Sequence, residues 1–232
     1  MNPIPEIVDR ETWQRRRDEL LVREKAHTRE GDAIAAARRR LPMIEVANVT
    51  LTGPDGPVSL LDIFEGRDQL FVFQHMWHHG EPFENQCQGC TANVWNFQDA
   101  TYLNARGVTF AVLCEGAYDE LAPYRAFMGY PIPWYSSAGV DGATLPDAAF
   151  AFFLRRGDRI FLTYATDGRG CEVMMPAALI LDMTVYGRQE TWEDSPEGWP
   201  QGPAHTWHRR DGRPLPQWTR PGVTPAIAAT EE

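Results

Sequence analysis

The run Leu70-Phe71-Val72-Phe73-Gln74-His75-Met76-Trp77-His78-His79, a polar loop to Gln86, and then Cys87-Gln88-Gly89-Cys90 decide how the rest of the chain is read. Leu70 to Phe73 is apolar at every position, the pattern of a strand buried on both faces of a parallel sheet. After the loop, the spacing predicts a helix from the cysteines to about Ala105, with Gly107 just past its end. Cys87 then stands at a helix start, where free backbone amides and the positive dipole end stabilise a thiolate. Cys90 lies about one turn further in. This order makes Cys87 the attacking thiolate and Cys90 the thiol that resolves a mixed disulfide. Gly89 lets the backbone tighten around the pair, while Glu81 and Glu84 oppose the thiolate if they approach it. The plainer alternative is two packed thiols without chemistry.

Working outward, Val108 to Cys114 is a second continuous apolar strand, and Tyr118 to Met128 a helix closed by Gly129. Ile132 to Ser136 reads as a short strand. Phe150 to Leu154, the turn Gly157-Asp158 and Ile160 to Tyr164 read as an antiparallel hairpin, and residues 172–182 as a helix started or kinked at Pro176. Upstream, Ile44 to Leu51 alternates as one strand and turns at Gly53-Pro54-Asp55-Gly56 into a shorter one. Residues 9–40 are helical, capped by Asp9, with Gly31 a candidate break and Leu41-Pro42 the stop. The thin apolar stripe of this helix points to a surface position or to pairing with a second copy, a homodimer contact. Arg38-Arg39-Arg40 reads as a solvated last turn complementing the helix dipole. Three units follow: a helical extension over 1–42, a main domain over 43–190, and a proline-rich extension with a flexible tail over 191–232.

Strand, helix, strand, helix, then hairpin and helix is a thioredoxin-like order: an α/β fold whose central mixed sheet is flanked by helices. The ends of its parallel strands share one edge, where ligands bind. Cys114 ends the second strand and faces that edge, as a third thiol or as a small hydrophobe. Trp134, Tyr135 and Ser136 are expected to line the cleft with it. Cys171 has no motif around it and reads as structural. Trp207-His208-Arg209-Arg210 reads as a segment laid over the domain, with a partner contact as the alternative. Arg169 and Arg188 read equally as anion-orienting groups or as paired surface charges.

Composition bounds the function. The chain has 232 residues, 43% hydrophobic and 23% charged, enough for one sizeable core. Lys and Arg number 22 against 32 Asp and Glu, a net charge of −10 that argues against nucleic-acid backbones as partners. The longest apolar run, Val173 to Leu181, is less than half of the roughly 20 residues a membrane span needs, so no membrane crossing is expected. No apolar signal segment is read after the charged start, and four cysteines are too few for a disulfide scaffold. A reducing, cytoplasmic setting is the expectation, in which a Cys-x-x-Cys pair is catalytic, redox-active or metal-binding.

Three of the six histidines stand immediately before the cysteine loop. His75 and His79 share one strand face, and His78 lies opposite. Thiolate and imidazole together suit copper, with zinc the second choice, so Cys87, Cys90, His75, His78 and His79 form an alternative metal site. The competing reading has the histidines tuning the thiols as proton shuttles.

The chain also resembles a known family, DUF899, often described as thioredoxin-like. The resemblance runs from about Trp13 to Arg210. It rests on Leu21-x-x-Glu24-Lys25-x-x-Thr28-Arg29, Arg39-Arg40-Leu41-Pro42, Gly53 to Leu60, Cys87-x-Gly-Cys90 and Leu103-Asn104-Ala105-Arg106. Met128-Gly129, Pro133-Trp134 with Ser136-Ser137, Arg169-Gly170, and Leu181-Asp182 with Gly187-Arg188 complete it. It implies a thioredoxin-type fold with the cysteine pair at the motif position, and no established reaction. His78-His79, Gly139 to Gly142 and Cys114 depart from the usual family pattern. Pro146 is the nearest candidate for the proline that thioredoxins set opposite their cysteines.

Three functions compete. The first is a thiol-dependent oxidoreductase acting on a small thiol, disulfide or peroxide through Cys87 and Cys90. The second is a copper carrier or copper-dependent redox enzyme, and the third a non-catalytic binding module with unreactive thiols.

Overall fold

The structure, a computed structural model, describes residues 3–142 and 144–223. Of the extension and tail expected over 191–232, residues 224–232 lie outside the described residues. Asp9 accepts the Thr12 amide at 2.8 Å and starts α1 (Arg10–Arg38), through which Gly31 passes without a break. None of its residues is buried, and Trp13, Leu20, Val22 and Ile34 are exposed along it. Arg38 at its end stacks over the Tyr164 ring at 5.1 Å.

The expected strand from Ile44 to Leu51 is two strands instead. β1 (Ile44–Val46) pairs with a late hairpin strand, while β2 (Thr50–Gly53) pairs with β3 (Gly56–Ser59). Then come β4 (Gln69–His75), α2 (Gln88–Asn96), α3 (Thr101–Asn104), β5 (Val108–Cys114), α4 (Tyr118–Met128) and β6 (Trp134–Ser136). The hairpin β7 (Phe150–Arg156) and β8 (Arg159–Thr166) and the short α5 (Pro176–Leu181) follow. The strands form one sheet in the order β1-β8-β7-β4-β5-β6-β2-β3. β5 is parallel to β4 and β6, whereas β7 and β8 are antiparallel.

Three residues separate β1 from β2, yet the two lie six strand positions apart in this sheet. A flat sheet would set them roughly 30 Å apart, and the link spans at most about 14 Å. The sheet therefore curls toward itself. Alternation along the strands explains the unbroken apolar runs. Phe71, Phe73, Phe110 and Val112 face one core, with Phe71 stacked between Phe110 and Phe152 at 4.8 and 4.7 Å. Leu70, Val72, Ala111 and Leu113 face the other, against Leu51, Leu60, Ile63 and Phe64. Burying a phenylalanine on such a face contributes about 2 kcal/mol.

The single helix expected from Cys87 to Ala105 is broken at Phe97 (φ −132°, ψ 82°), and Asp99 accepts the Thr101 amide to start α3. Pro176 is the first residue of α5, after a 3-10 turn over Gly168–Met174. Arg188 is buried between Glu172 and Asp182, with contacts of 2.7 to 3.0 Å, and Arg169 holds Glu172 at 3.1 Å, so both arginines serve internal ion pairs. The C-terminal segment, including the small hairpin β9 (Arg209–Arg210) and β10 (Arg213–Pro214), lies over α2 as the sequence led us to expect. No helix among the described residues is long and apolar enough to cross a membrane.

Candidate functional site

Parallel β4 and β5 end side by side, with His75 opposite Cys114 in register. The chain leaving β4 turns back and begins α2 just past this edge. Buried Gln86 shapes the turn: its Oε1 accepts the His78 amide at 3.0 Å, and its Nε2 donates to the carbonyls of His78 and Glu81. From outside, Arg209 donates to Glu84 O (2.5 Å), Gln86 O (3.3 Å) and Gln88 Oε1 (2.8 Å), and Gln217 donates to Phe83 O (2.7 Å). Arg213 pairs with Glu84, and Asn85 donates to Glu81, so both carboxylates are engaged away from the sulfurs.

Cys87 caps α2. Its Sγ accepts the Cys90 amide at 3.2 Å and lies 2.6 Å from Cys90 Sγ, both cysteines being free thiols. The Cys90 thiol beside it brings Cys87 down from 9.0 to about 7, against the opposing effect of burial. The Cys90 and Gly89 amides and the charge of His78 act in the same direction as the neighbouring thiol. Cys90 moves the other way, pushed well up because it donates to Cys87, is buried and faces its neighbour's charge. One sulfur is thus poised to be anionic near neutrality, and its neighbour stays protonated. Below them Thr91 Oγ1 donates to Cys87 O at 2.8 Å and meets the Tyr124 hydroxyl at 2.7 Å, tying the helix start to α4.

The pair opens into a cleft of about 600 Å³ between α2, the ends of β4 and β5, the 137–149 loop and the Gly168 turn. His75, Asn93 and Cys171 line it with Cys87 and Cys90. His75 is buried; its Nδ1 faces Met76 O at 2.7 Å, and burial lowers it from 6.5 to about 4. A carbonyl can only accept, so Nδ1 carries the proton and Nε2 keeps a free lone pair, for which the described residues provide no partner.

Several expected cleft residues are elsewhere. Trp134 is buried beneath His75, the ring centroids 5.0 Å apart. Tyr135, one residue on, points to the opposite face of the sheet and packs with the second core. Ser136 donates to Gly116 O at 2.6 Å inside the fold. Cys114 is buried, and desolvation raises it to about 12, so it behaves as a small hydrophobe. The cleft wall begins at Ser137. Its far side includes Pro146, whose carbonyl accepts from Gln74 Nε2 at 2.6 Å. The peptide bonds of the described residues are all trans.

The histidines of the metal reading also separate. His78 Nδ1 donates to Asn85 O at 2.7 Å, and His79 turns to Glu120 at 3.6 Å, while buried His75 has its Nδ1 on Met76 O. Among the described residues no group of three or more His, Cys, Asp or Glu side chains is placed to hold a metal ion. Two cleft residues escaped the sequence reading. Cys171, taken as structural, is carried into the cleft by the 3-10 turn, with burial raising it to about 11. Asn93, one turn beyond Cys90, exposes only 8% of its surface, and its Nδ2 donates to Gly89 O at 2.9 Å. A capping pattern at Asp167-Gly168 was the signal for the first; nothing local marks the second.

The strand order β8-β7-β4-β5 with a cysteine pair capping the helix after β4 defines a thioredoxin-like protein. The chain belongs to the DUF899 family, described as bacterial proteins of unknown function, whose model matches residues 2–213. Among curated proteins none matches. Similar solved structures include a putative thiol:disulfide interchange protein DsbE from Chlorobium tepidum (14% identity, 60% of this chain and 95% of that one, TM-score 0.40). Another is a secreted Mycobacterium tuberculosis disulfide oxidoreductase homologous to E. coli DsbE (16%, 56% and 92%, TM-score 0.34). A third is the peroxidoxin BcpB from Mycobacterium tuberculosis (16%, 59% and 97%, TM-score 0.36).

Proposed function

We propose that this protein is a thiol–disulfide oxidoreductase in which Cys87 attacks and Cys90 resolves. The supporting observation is the asymmetry of the pair: Cys87 Sγ receives the Cys90 amide and thiol at the start of α2 and is lowered to about 7, while Cys90 is raised. The Cys87 thiolate attacks one sulfur of a disulfide R–S–S–R, forming a Cys87–S–S–R bond and expelling RS⁻. As Cys87 gives up its charge, two of the causes that hold Cys90 up, its hydrogen bond to the Cys87 thiolate and that thiolate's charge, are removed. Cys90 then gives its proton to the expelled RS⁻ and attacks Cys87 Sγ, breaking the Cys87–SR bond, releasing the second RS⁻ and leaving an internal disulfide. Two electrons pass from the pair to the substrate, and a dithiol reductant returns the protein to its starting state.

The test uses reduced Cys90→Ser protein with 2-hydroxyethyl disulfide. A mixed disulfide of one mercaptoethanol per chain, mapped to Cys87 by mass spectrometry, is the expected product. The unsubstituted protein should instead carry a Cys87–Cys90 bond and release two mercaptoethanols. Adduct spread over all thiols, or none at Cys87, contradicts the reading.

A further inference from the structure

Resting on that reading, we infer that the cleft selects disulfides whose arms carry positive charge and N–H donors, amine-bearing disulfides above all, and disfavours carboxylate-bearing ones. Two of the side chains that line it each carry a buried acceptor without a donor among the described residues. His75 Nε2, left as an acceptor because Nδ1 holds the ring proton against Met76 O, has no partner among the described residues. Asn93 Oδ1 has none among the described residues either, while its amide nitrogen donates to Gly89 O. His75 is 1% exposed and Asn93 8%, and both line the cavity that Cys87 and Cys90 open into. A buried acceptor without a donor is costly, so a ligand that brings an N–H gains from filling it.

The rim repeats the preference in charge. Glu115, Asp147 and Asp167 line the same cavity and are exposed, whereas no Lys or Arg is among its described lining residues. The neighbouring cations are spoken for. Arg169 is held by Glu172 at 3.1 Å and stacks on Trp192 at 4.5 Å, and Arg188 is enclosed by Glu172 and Asp182. His78, which acts on Cys87, uses its Nδ1 on Asn85 O. Carboxylates around a concave, partly apolar site concentrate cationic ligands and repel anionic ones. An ammonium two carbons from the reacting sulfur supplies both the charge the rim favours and the hydrogens the floor lacks.

The experiment compares single-turnover oxidation of the reduced protein by three disulfides: cystamine (two ammonium groups), 2-hydroxyethyl disulfide (uncharged) and 3,3′-dithiodipropionate (two carboxylates). Each rate is divided by that of the same disulfide with free dithiothreitol in the same buffer, which removes differences in intrinsic reactivity. At low ionic strength the normalised cystamine rate should exceed the uncharged one by at least about tenfold and the carboxylate one by more. The advantage should shrink in 0.5 M salt, and the Asp147→Asn/Asp167→Asn/Glu115→Gln triple variant should bring the cystamine-to-hydroxyethyl ratio to within about threefold of one. Oxidation of the uncharged disulfide with no cystamine preference, or with the carboxylate favoured, overturns the inference and leaves the redox reading standing. Failure of all three to oxidise the Cys87–Cys90 pair overturns the redox reading and the inference with it.

Discussion

His75 shows how one buried side chain couples the site to stability. In the unfolded chain its imidazole takes a proton near its ordinary 6.5, whereas in the fold burial holds it to about 4. Between those values the unfolded state binds the extra proton, so acid favours unfolding. The contribution is intact above about pH 6.5 and is lost as pH falls toward 4, at up to roughly 1.4 kcal/mol per pH unit. His75→Phe keeps an aromatic ring among Trp134, Trp77 and Phe73 but cannot charge. Urea unfolding at pH 7 and pH 5 should show the variant losing about 2 kcal/mol less than the native sequence over that interval. Equal losses contradict the assignment of His75 as a neutral buried base.

At the scale of elements, the start of α2 is placed by a segment more than a hundred residues away. Arg209 of β9 holds the carbonyls of Glu84 and Gln86 and the side chain of Gln88, the residues on either side of Cys87. Removing the guanidinium leaves acceptors in a half-buried site without their donor, a loss of about 1–3 kcal/mol. Arg209→Ala should therefore raise amide hydrogen exchange across residues 84–90 more than elsewhere, with a modest fall in Tm. Unchanged protection there would mean that Gln86, Gln217 and Arg213 hold the loop without Arg209. This contact was invisible in the sequence, where Trp207 to Arg210 could be read as a covering segment or as a partner contact but not as a tie to the cysteine loop. The split of the long helix was better signposted. Asp99 before Thr101 is a capping pattern, but without glycine or proline at Phe97 the helical spacing dominated the reading. The neighbours of Ile44 to Leu51 were not legible at all, because its two halves alternate alike and only the curl of the sheet lets one join the β8 edge and the other lie between β6 and β3.

Taken whole, the molecule is a sheet buried on both faces whose parallel strands end at one edge, with a cysteine pair set over it by a helix start. That plan was legible because it depends on local signals: unbroken apolar runs at Leu70 and Val108, glycine at helix ends, and Cys87 at the turn into α2. What surrounds the pair was less so, since a cleft is made by distant segments. Tyr135 was turned away by strand alternation, and Cys171 was brought in by a turn whose direction no local pattern states. The distribution of charge between the two sulfurs follows from this assembly, with the amides of α2 and the Cys90 thiol on one side and burial on the other. It is measured most directly by the pH dependence of iodoacetamide alkylation of the fully reduced protein, with the modified cysteine identified by mass spectrometry. Alkylation of Cys87 alone, rising with a midpoint near 7, is the expected result. A midpoint near 9, or Cys90 reacting as fast as Cys87, would contradict the account.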